Sequence, residues 1–184
     1  MKTYFQPILL ASLVAVSLTA GAAVLKTDPA KSTVSATFKQ MNVPVESKFK
    51  KHSVVIDYDA AKPDASKATV EVDTASLDMG DPEYNREVAK KEWFNSAQFP
   101  KATFVSTSIK SAGAGKLNVS GKLTIKGKAA DVTFPVTVKT EGGKQVFDGA
   151  VPIKRLTYNI GEGEWKDTSM VADEVTIKFH VVSQ

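Results

Sequence analysis

Residues 116–138 have the sequence KLNVSGKLTIKGKAADVTFPVTV, and this stretch gives the clearest indication of the fold. Apolar side chains occupy alternate positions on both sides of a central Lys126-Gly127 pair, at Leu117, Val119, Leu123 and Ile125 and again at Val132, Phe134, Val136 and Val138. A period of two is typical of a strand with one buried face. Gly127 can adopt the positive φ that a tight reversal needs. The stretch therefore predicts a hairpin whose apolar face needs further strands to cover it.

The same alternation recurs on both sides of this hairpin. It predicts six further strands, at residues 32–38, 54–58, 69–74, 102–109, 145–153 and 174–182. Short turns between them favour antiparallel neighbours, and eight such strands can close into a barrel that holds side chains or one small ligand. A β-sandwich competes, but the Cys…Trp…Cys spacing of immunoglobulin domains is absent. Pro44 excludes the extended segment 41–45 from a central ladder position.

Residues 76–99 break the strand pattern. Asp81 before Pro82, with Glu83 following, is a typical helix start: a cap, a proline in the first turn and an acid near the positive end. Apolar side chains then follow at roughly helical spacing as far as Trp93. We predict one short amphipathic helix over residues 82–94. Its aromatic stripe either packs as plain core or serves as a lid over the barrel end.

The N-terminal residues are typical of a secretory signal peptide. Lys2 gives a positive start, residues 8–18 carry no charge, and Ala20-Gly21-Ala22 resembles a cleavage site. We predict a signal peptide over residues 1–22, cleaved after Ala22 or Ala23, followed by a single domain over residues 23–184. A membrane anchor is the alternative, but the uncharged run is short and lacks a stop-transfer flank. The predicted location is a bacterial periplasm.

Composition excludes several classes of function. The chain has no cysteine, so an exported form must be held together by its core. The formal net charge is +4, part of which belongs to Lys2, and the remaining charges of both signs are interleaved. An ordinary mixed surface of this kind does not indicate nucleic-acid binding. No apolar run beyond the signal is long enough to predict a stable membrane anchor.

Chemistry-bearing patterns are scarce. The two histidines, His52 and His180, lack a second ligand at metal-binding spacing. No G-x-S-x-G elbow accompanies the serines, and neither glycine-rich stretch opens a helix as a phosphate loop must. The sequence therefore predicts a binding protein rather than an enzyme, with no catalytic residue, no metal and no cofactor.

Two basic residues stand apart because they are arginines among many lysines. Arg86 and Arg155 have planar guanidinium groups that suit bidentate partners. One interpretation is structural ion pairing, with Asp78, Asp81 or Glu174 as partners. The other is capture of an anionic head group. Sequence alone leaves both interpretations open.

Several segments together resemble a known family. They are VPVESKFKKHSVVIDYD, VEVDTASLDMG, KEWFNSAQFPKATFVSTSI, the hairpin LNVSGKLTIKGKAADVTFPVTV and the C-terminal ADEVTIKFHVV. In this order they resemble the YceI-like proteins, which are exported bacterial lipocalin-like barrels. One departure is the segment Arg86-Glu87-Val88-Ala89-Lys90, where many members carry an R-D-x-H-like sequence. The histidine is missing here, so no role of that residue is carried over.

The resemblance implies an all-β fold, an eight-stranded antiparallel lipocalin-like barrel with one short helical excursion. It also implies binding of a long amphiphile in an elongated apolar pore. The first candidate ligand is a polyisoprenoid or isoprenoid quinone, and a fatty acid or fatty amide is the alternative. A stress-related interaction protein with a solid core is a further alternative. A homodimer is left open, as is the choice between transport and storage.

The predicted site is a set of inward-facing apolar residues with a polar group near the opening. Arg86 and Arg155 are the candidates for contact with a head group. Periodicity does not separate a filled barrel from a hollow one, because inward positions alternate identically in both. The candidate pore residues are Phe38, Val70, Val72, Trp93, Phe94, Phe104, Leu123, Ile125, Phe134, Trp165, Ile177 and Phe179.

Overall fold

A computed structural model describes residues 23–184 of the chain as one curled antiparallel sheet with a short helix. The strands are β1 Ala23–Leu25, β2 Thr33–Gln40, β3 Val43–Phe49, β4 His52–Tyr58, β5 Lys67–Asp73, β6 Leu77–Asp78, β7 Lys101–Ser111, β8 Lys116–Ile125, β9 Lys128–Glu141, β10 Lys144–Lys154 and β11 Val171–Val182. The α-helix is α1 Pro82–Val88, and short 3₁₀ helices span Pro63–Ala65, Thr74–Ser76, Arg155–Tyr158 and Gly163–Lys166. The predicted signal peptide, residues 1–22, lies outside the described residues.

The hairpin predicted from the sequence forms β8 and β9. Val119 pairs with Phe134 and Leu123 pairs with Ala130, so the apolar positions of both strands share one face. Lys126 and Gly127 make the two-residue turn with φ values of 49° and 72°. Two successive positive φ values are what a type I′ turn requires, and this turn matches the natural twist of the strands. The hairpin prediction is confirmed.

The strands follow one another around a barrel. Sheet order is β1-β4-β5-β7-β8-β9-β10-β11-β2-β3-β6, so sequential neighbours pair from β7 to β11. β3 and β4 are separated by two residues; β3 pairs with β2, and β4 pairs with β5. The chain near β1 also reaches the end of β11, through the bridge between Thr27 and Ser183. The all-β antiparallel barrel class is confirmed.

The predicted strand count of eight is too low, because the described residues contain eleven strands. The three additional strands are β1, β3 and β6. β1 and β6 are two or three residues long, which is too short for alternation to be recognised. β3 includes Pro44, which pairs with Lys39 of β2. The described β6 pairs only with Lys48 and Phe49, so Pro44 lies where β3 has a neighbour on one side, as proline requires.

The predicted helix start is correct, whereas its predicted end is wrong. The Asp81 carboxylate accepts hydrogen bonds from the backbone N–H groups of Glu83 and Tyr84, at 2.6 and 3.4 Å. The helix ends at Val88 rather than near residue 94. Tight turns replace it, because Phe94 N donates to the carbonyl of Val88 and Asn95 takes a left-handed φ of 50°. Within residues 23–184, no helix has the length and apolar character needed to cross a bilayer.

Candidate functional site

A cavity of about 210 Å³ lies inside the barrel, with walls formed by inward-facing side chains of the strands. The exposed surface of this wall is apolar throughout. Every long strand contributes to it because each presents alternate side chains to the interior. We call this cavity the bore. Its apolar surface suits the burial of hydrocarbon.

Most of the predicted pore residues line the bore. Trp165 is the exception among the twelve: it does not line the bore and packs instead against Trp93. Whether the lining residues touch a ligand stays a prediction. The residues that line the bore are Phe38, Val70, Val72, Trp93, Phe94, Phe104, Leu123, Ile125, Phe134, Ile177 and Phe179.

Partial exposure in the middle of the strands indicates that the barrel is hollow. Val70, Val132, Ile177 and Phe179 lie well inside their strands and line the bore, yet each is only half-buried. In a filled barrel such inward positions would be buried by their neighbours. Their exposed surface instead faces the cavity. The question of a filled or hollow barrel, which periodicity leaves open, is therefore answered by their accessibility.

Two segments cover the barrel end at which β8 and β10 finish. They are residues 91–94, which follow α1, and residues 155–166, which connect β10 to β11; together we call them the cap. Trp93, Phe94 and Ile160 from the cap line the bore. The backbone N–H groups of Gly161 and Glu162 both donate to the carbonyl of Glu92, at 2.8 Å, so the two segments are joined directly.

The bore opens beside the cap. Phe38 on β2, Val175 on β11, Met79 just before α1 and Val88 at the end of α1 all line the bore and are partly exposed. At the opposite barrel end, lining residues such as Leu117 are buried. This distribution indicates an opening between α1 and the part of the barrel rim that β2 and β11 form.

Arg155 organises the longer segment of the cap. It is 2% exposed, and burial lowers the pKa of its guanidinium group. Its five hydrogen bonds all go to backbone carbonyls, namely those of Ile160, Gly161, Trp165, Val171 and Ala172. A guanidinium group has five N–H donors, so none is left for a ligand. Among the described residues no predicted carboxylate partner bonds to Arg155, and its contact with a head group stays a prediction.

The indole rings of Trp93 and Trp165 form the apolar side of the cap. Their centroids are 5.2 Å apart, and the Arg155 guanidinium carbon lies 5.8 Å from the centroid of the Trp93 ring. A guanidinium group over an indole face at this distance is a cation–π contact. The Trp93 indole N–H is buried and has no hydrogen-bond partner among the described residues. The Trp93 ring, which lines the bore, therefore also contacts the buried guanidinium group of Arg155.

Lys126, the first residue of the hairpin turn, ties the two segments of the cap together. Its side chain is 6% exposed, and its ammonium group donates to the carbonyls of Lys91 and Asn159 and to a carboxylate oxygen of Glu162, at 2.7, 2.7 and 2.8 Å. These bonds use all three ammonium donors. The hydrogen bond from Lys126 lowers the pKa of the Glu162 carboxyl below its usual value. The turn of the β8–β9 hairpin thus also holds the cap.

Arg86 lies away from the bore. Its side chain is exposed, and its nearest acidic partner is Glu83, one turn earlier in α1, at 3.9 Å. The predicted partner Asp78 instead pairs with Lys50 at 2.8 Å, and hydrogen bonds from Lys50 and Asn85 lower its pKa to about 2. The predicted partners of Arg86 are therefore wrong. A contact between Arg86 and a head group stays untested.

The two histidines of the chain, His52 on β4 and His180 on β11, are not among the residues that line the bore. His180 Nδ1 lies 2.6 Å from the Asp148 carboxylate on the neighbouring strand. His52 is half-buried at the start of β4. Among residues 23–184, no group of three or more His, Cys, Asp or Glu side chains is placed to hold a metal ion.

Comparison with known proteins identifies the family. A model of the YceI-like domain matches residues 25–183, which is nearly all of the described chain. The chain belongs to the YceI-like family. The resemblance found in the sequence segments is therefore confirmed.

Relatives of this YceI-like chain include a UPF0312 protein of Pseudomonas fluorescens (strain SBW25), 40% identical over 98 residues, which are 53% of this chain and 51% of the relative. The match thus spans about half the length of that relative. The crystal structure of Burkholderia cenocepacia BcnA has a TM-score of 0.84 and 57% identity, covering 86% of this chain and all of that one. A polyisoprenoid binding domain from Saccharophagus degradans has a TM-score of 0.69 over 89% of this chain and 98% of that one, and its 15% identity shows a shared fold.

Sequence reasoning missed the residue that joins the cap of this YceI-like chain. The sequence predicts Lys126 to be part of a turn, and a turn lysine is ordinarily solvated. Nothing local to the sequence indicates that the acceptors of its ammonium group lie more than 30 residues away, at Lys91, Asn159 and Glu162. Met79 also lines the bore unpredicted, because it lies in a short irregular segment without periodicity.

Proposed function

We infer that this protein binds one long-chain amphiphile lengthwise in the bore, with the tail inside and the polar group at the opening beside the cap. The hollow, apolar interior is the observation that carries this proposal. The first candidate ligand is a polyisoprenoid or isoprenoid quinone. The binding domain from Saccharophagus degradans, named for polyisoprenoids, supports that class because it shares the fold. A fatty acid or fatty amide is the second candidate.

The energetics of hydrocarbon burial favour such a ligand. One isoprene unit has five carbons, and burying it is worth about 3–4 kcal/mol at about 0.8 kcal/mol for each methylene-sized group. A few units offset the loss of translational and rotational freedom on association. Affinity of this kind needs no polar contact. An apolar wall without a catalytic constellation is therefore sufficient for binding, and the proposed role is carriage or storage rather than catalysis.

The proposed setting is the bacterial periplasm, reached through cleavage after Ala22 or Ala23. A free, exported barrel could take up a lipid tail and shield it from water during transfer or storage. The intact mass of the protein recovered from the periplasm tests this step, since cleavage at either position predicts a defined mature mass. A protein that keeps residues 1–22 would contradict it.

Analysis of the lipids that accompany the protein tests the binding proposal. The full chain is expressed with its N-terminal segment, purified from the periplasm and extracted with organic solvent for mass spectrometry. Val70→Trp fills the bore from β5, whereas Val105→Trp adds the same side chain at a 50% exposed, outward position on β7. We expect wild type and Val105→Trp to carry a lipid and Val70→Trp to lose it, with circular dichroism confirming that all three fold.

The mass spectrum also separates the candidate ligands, because isoprenoid and acyl chains differ in mass and fragmentation. Wild-type protein that is free of lipid and also fails to take up added polyprenyl or acyl chains would overturn the proposal. The stress-related interaction protein would then be the remaining interpretation. The hollow bore counts against its solid-core form.

A further inference from the structure

Three phenylalanines and two glycines alternate across five neighbouring strands of the barrel. Phe104 lies on β7, Gly121 on β8, Phe134 on β9, Gly149 on β10 and Phe179 on β11, and these strands are consecutive in the sheet. The ring centroids of Phe104 and Phe134 are 5.4 Å apart, and those of Phe134 and Phe179 are 5.9 Å apart. We call this row the aromatic belt. It crosses one side of the bore from β7 to β11.

Both glycines of the belt belong to the inward face of the sheet. Gly121 lies between Val119 and Leu123, which line the bore, and side chains two residues apart on a strand share a face. Gly149 likewise lies between Phe147 and Val151, which also line it. A side chain at either position would therefore point into the bore.

The rings of the belt occupy the space that those side chains would need. A methyl group at Gly149 would lie 2.7 Å from Cε1 of Phe179, and its three nearest neighbours all belong to that ring. A methyl group at Gly121 would lie 2.5 Å from Cε2 of Phe104 and also 2.5 Å from the backbone carbonyl oxygen of Val105. The rings of Phe104 and Phe179 thus lie directly against bare backbone. They are set back from the bore axis by the absence of two side chains.

We propose that Gly121 and Gly149 determine the width of the bore, so that it admits a methyl-branched chain as well as a straight one. The inference rests on the proposed binding of a long-chain amphiphile and specifies which chain shapes fit. A polyisoprenoid carries a methyl branch on every fourth carbon of its main chain and is thicker than a linear acyl chain. Side chains at these glycines would push the rings inward and leave room for the linear chain alone.

Gly149→Ala is the sharper test, because the added methyl group meets a ring that can turn toward the bore. At Gly121 it would also meet the immobile carbonyl of Val105. The ligands are palmitic acid and phytanic acid, which share a carboxyl group and a sixteen-carbon main chain and differ in four methyl branches. Binding to the delipidated full chain is measured by isothermal titration calorimetry. We expect Gly149→Ala to weaken phytanic acid by at least about tenfold, since overpacking a filled site commonly costs that much, and to leave palmitic acid nearly unchanged.

Two further variants test whether the ring is the cause. Phe179→Leu should favour phytanic acid over palmitic acid relative to wild type, and Gly149→Ala/Phe179→Leu should recover the phytanic acid affinity lost in Gly149→Ala. Ala150→Ser, at the exposed neighbouring position, should change neither affinity. If Gly149→Ala does not fold, Phe179→Leu and the double variant carry the test.

The outcomes separate the two proposals. Three results would overturn the role of the glycines while lipid binding stands. The first two are a folded Gly149→Ala protein that loses affinity equally for both acids, and one whose selectivity is unchanged. The third is a wild type that binds palmitic but not phytanic acid. Failure of the double variant to recover phytanic acid would also overturn it. Wild type that binds neither acid would overturn the proposed function itself.

Discussion

The barrel wall and the cap are stabilised by opposite kinds of contact. The β8–β9 hairpin represents the wall: its buried residues, such as Val119 and Phe134, contribute many similar apolar contacts. The cap is held by two buried cations, Arg155 and Lys126, whose donors are all occupied. Contacts of the first kind are individually small and redundant, whereas each buried polar group of the second kind has few substitutes. Single substitutions should therefore affect the cap more than the wall.

The largest effect is expected at Arg155. Arg155→Met keeps the apolar stem but leaves five backbone carbonyls without their donor, and we expect a loss of about 3–4 kcal/mol in the free energy of unfolding. Urea denaturation followed by tryptophan emission measures it, because both tryptophans of the chain lie in the cap.

Arg86→Met is the matched control for this prediction. Arg86 is exposed and lies 3.9 Å from Glu83, so its replacement should change stability by less than about 0.5 kcal/mol. Equal effects of the two substitutions would show that Arg155 does not hold the cap, and the contrast between cap and wall would fail.

The contrast also explains what the sequence can predict. The β8–β9 hairpin was predictable because its alternation and its Lys126-Gly127 turn are local properties of residues 116–138. The inward faces of the long strands followed by the same rule. The hollow interior could not be predicted from the sequence, because it depends on the distance between opposite walls of the barrel, which periodicity does not encode. The five carbonyl partners of Arg155 could not be predicted either, since they come together only when residues 155–172 fold around it.

The second largest effect is expected at Lys126. Lys126→Met removes three hydrogen bonds from a group that is 6% exposed, and we expect a loss of about 2–3 kcal/mol in stability. The cap should also open more easily, so that a bound lipid exchanges faster with a fluorescent competitor. Lys128→Met, two residues later and exposed, is the control and should resemble wild type in both measurements. Similar exchange rates in the two variants would mean that Lys126 does not restrain the cap.

A smaller effect is expected in the wall, and it depends on the bore being empty. Ile109→Val removes a methylene group at a site that is 4% exposed near the closed barrel end, which should cost about 0.5–1.5 kcal/mol. Ile177→Val makes the same change where the side chain is half-buried and faces the bore. There the methylene has fewer neighbours to lose, so the cost should be smaller. Denaturant unfolding of the lipid-free protein compares them, and equal costs would indicate a filled barrel.

The smallest expected effect is the loss of stability at low pH that depends on the carboxylate of Glu162. Its pKa is lowered from 4.5 by the hydrogen bond from Lys126, so the stabilisation is present above pH 4.5 and is lost as the pH falls through the lower pKa of the folded protein. Glu162→Gln lacks this contribution, so its stability should fall below that of wild type at neutral pH and approach it in acid. Glu164→Gln, at an exposed position of the same segment, should follow wild type at every pH. Urea midpoints measured across the acid range test this prediction. If the midpoints of wild type and Glu162→Gln still differ below the pKa of Glu162 in the folded protein, the carboxylate charge is not what Lys126 recognises. The cap then relies on the two carbonyl acceptors alone.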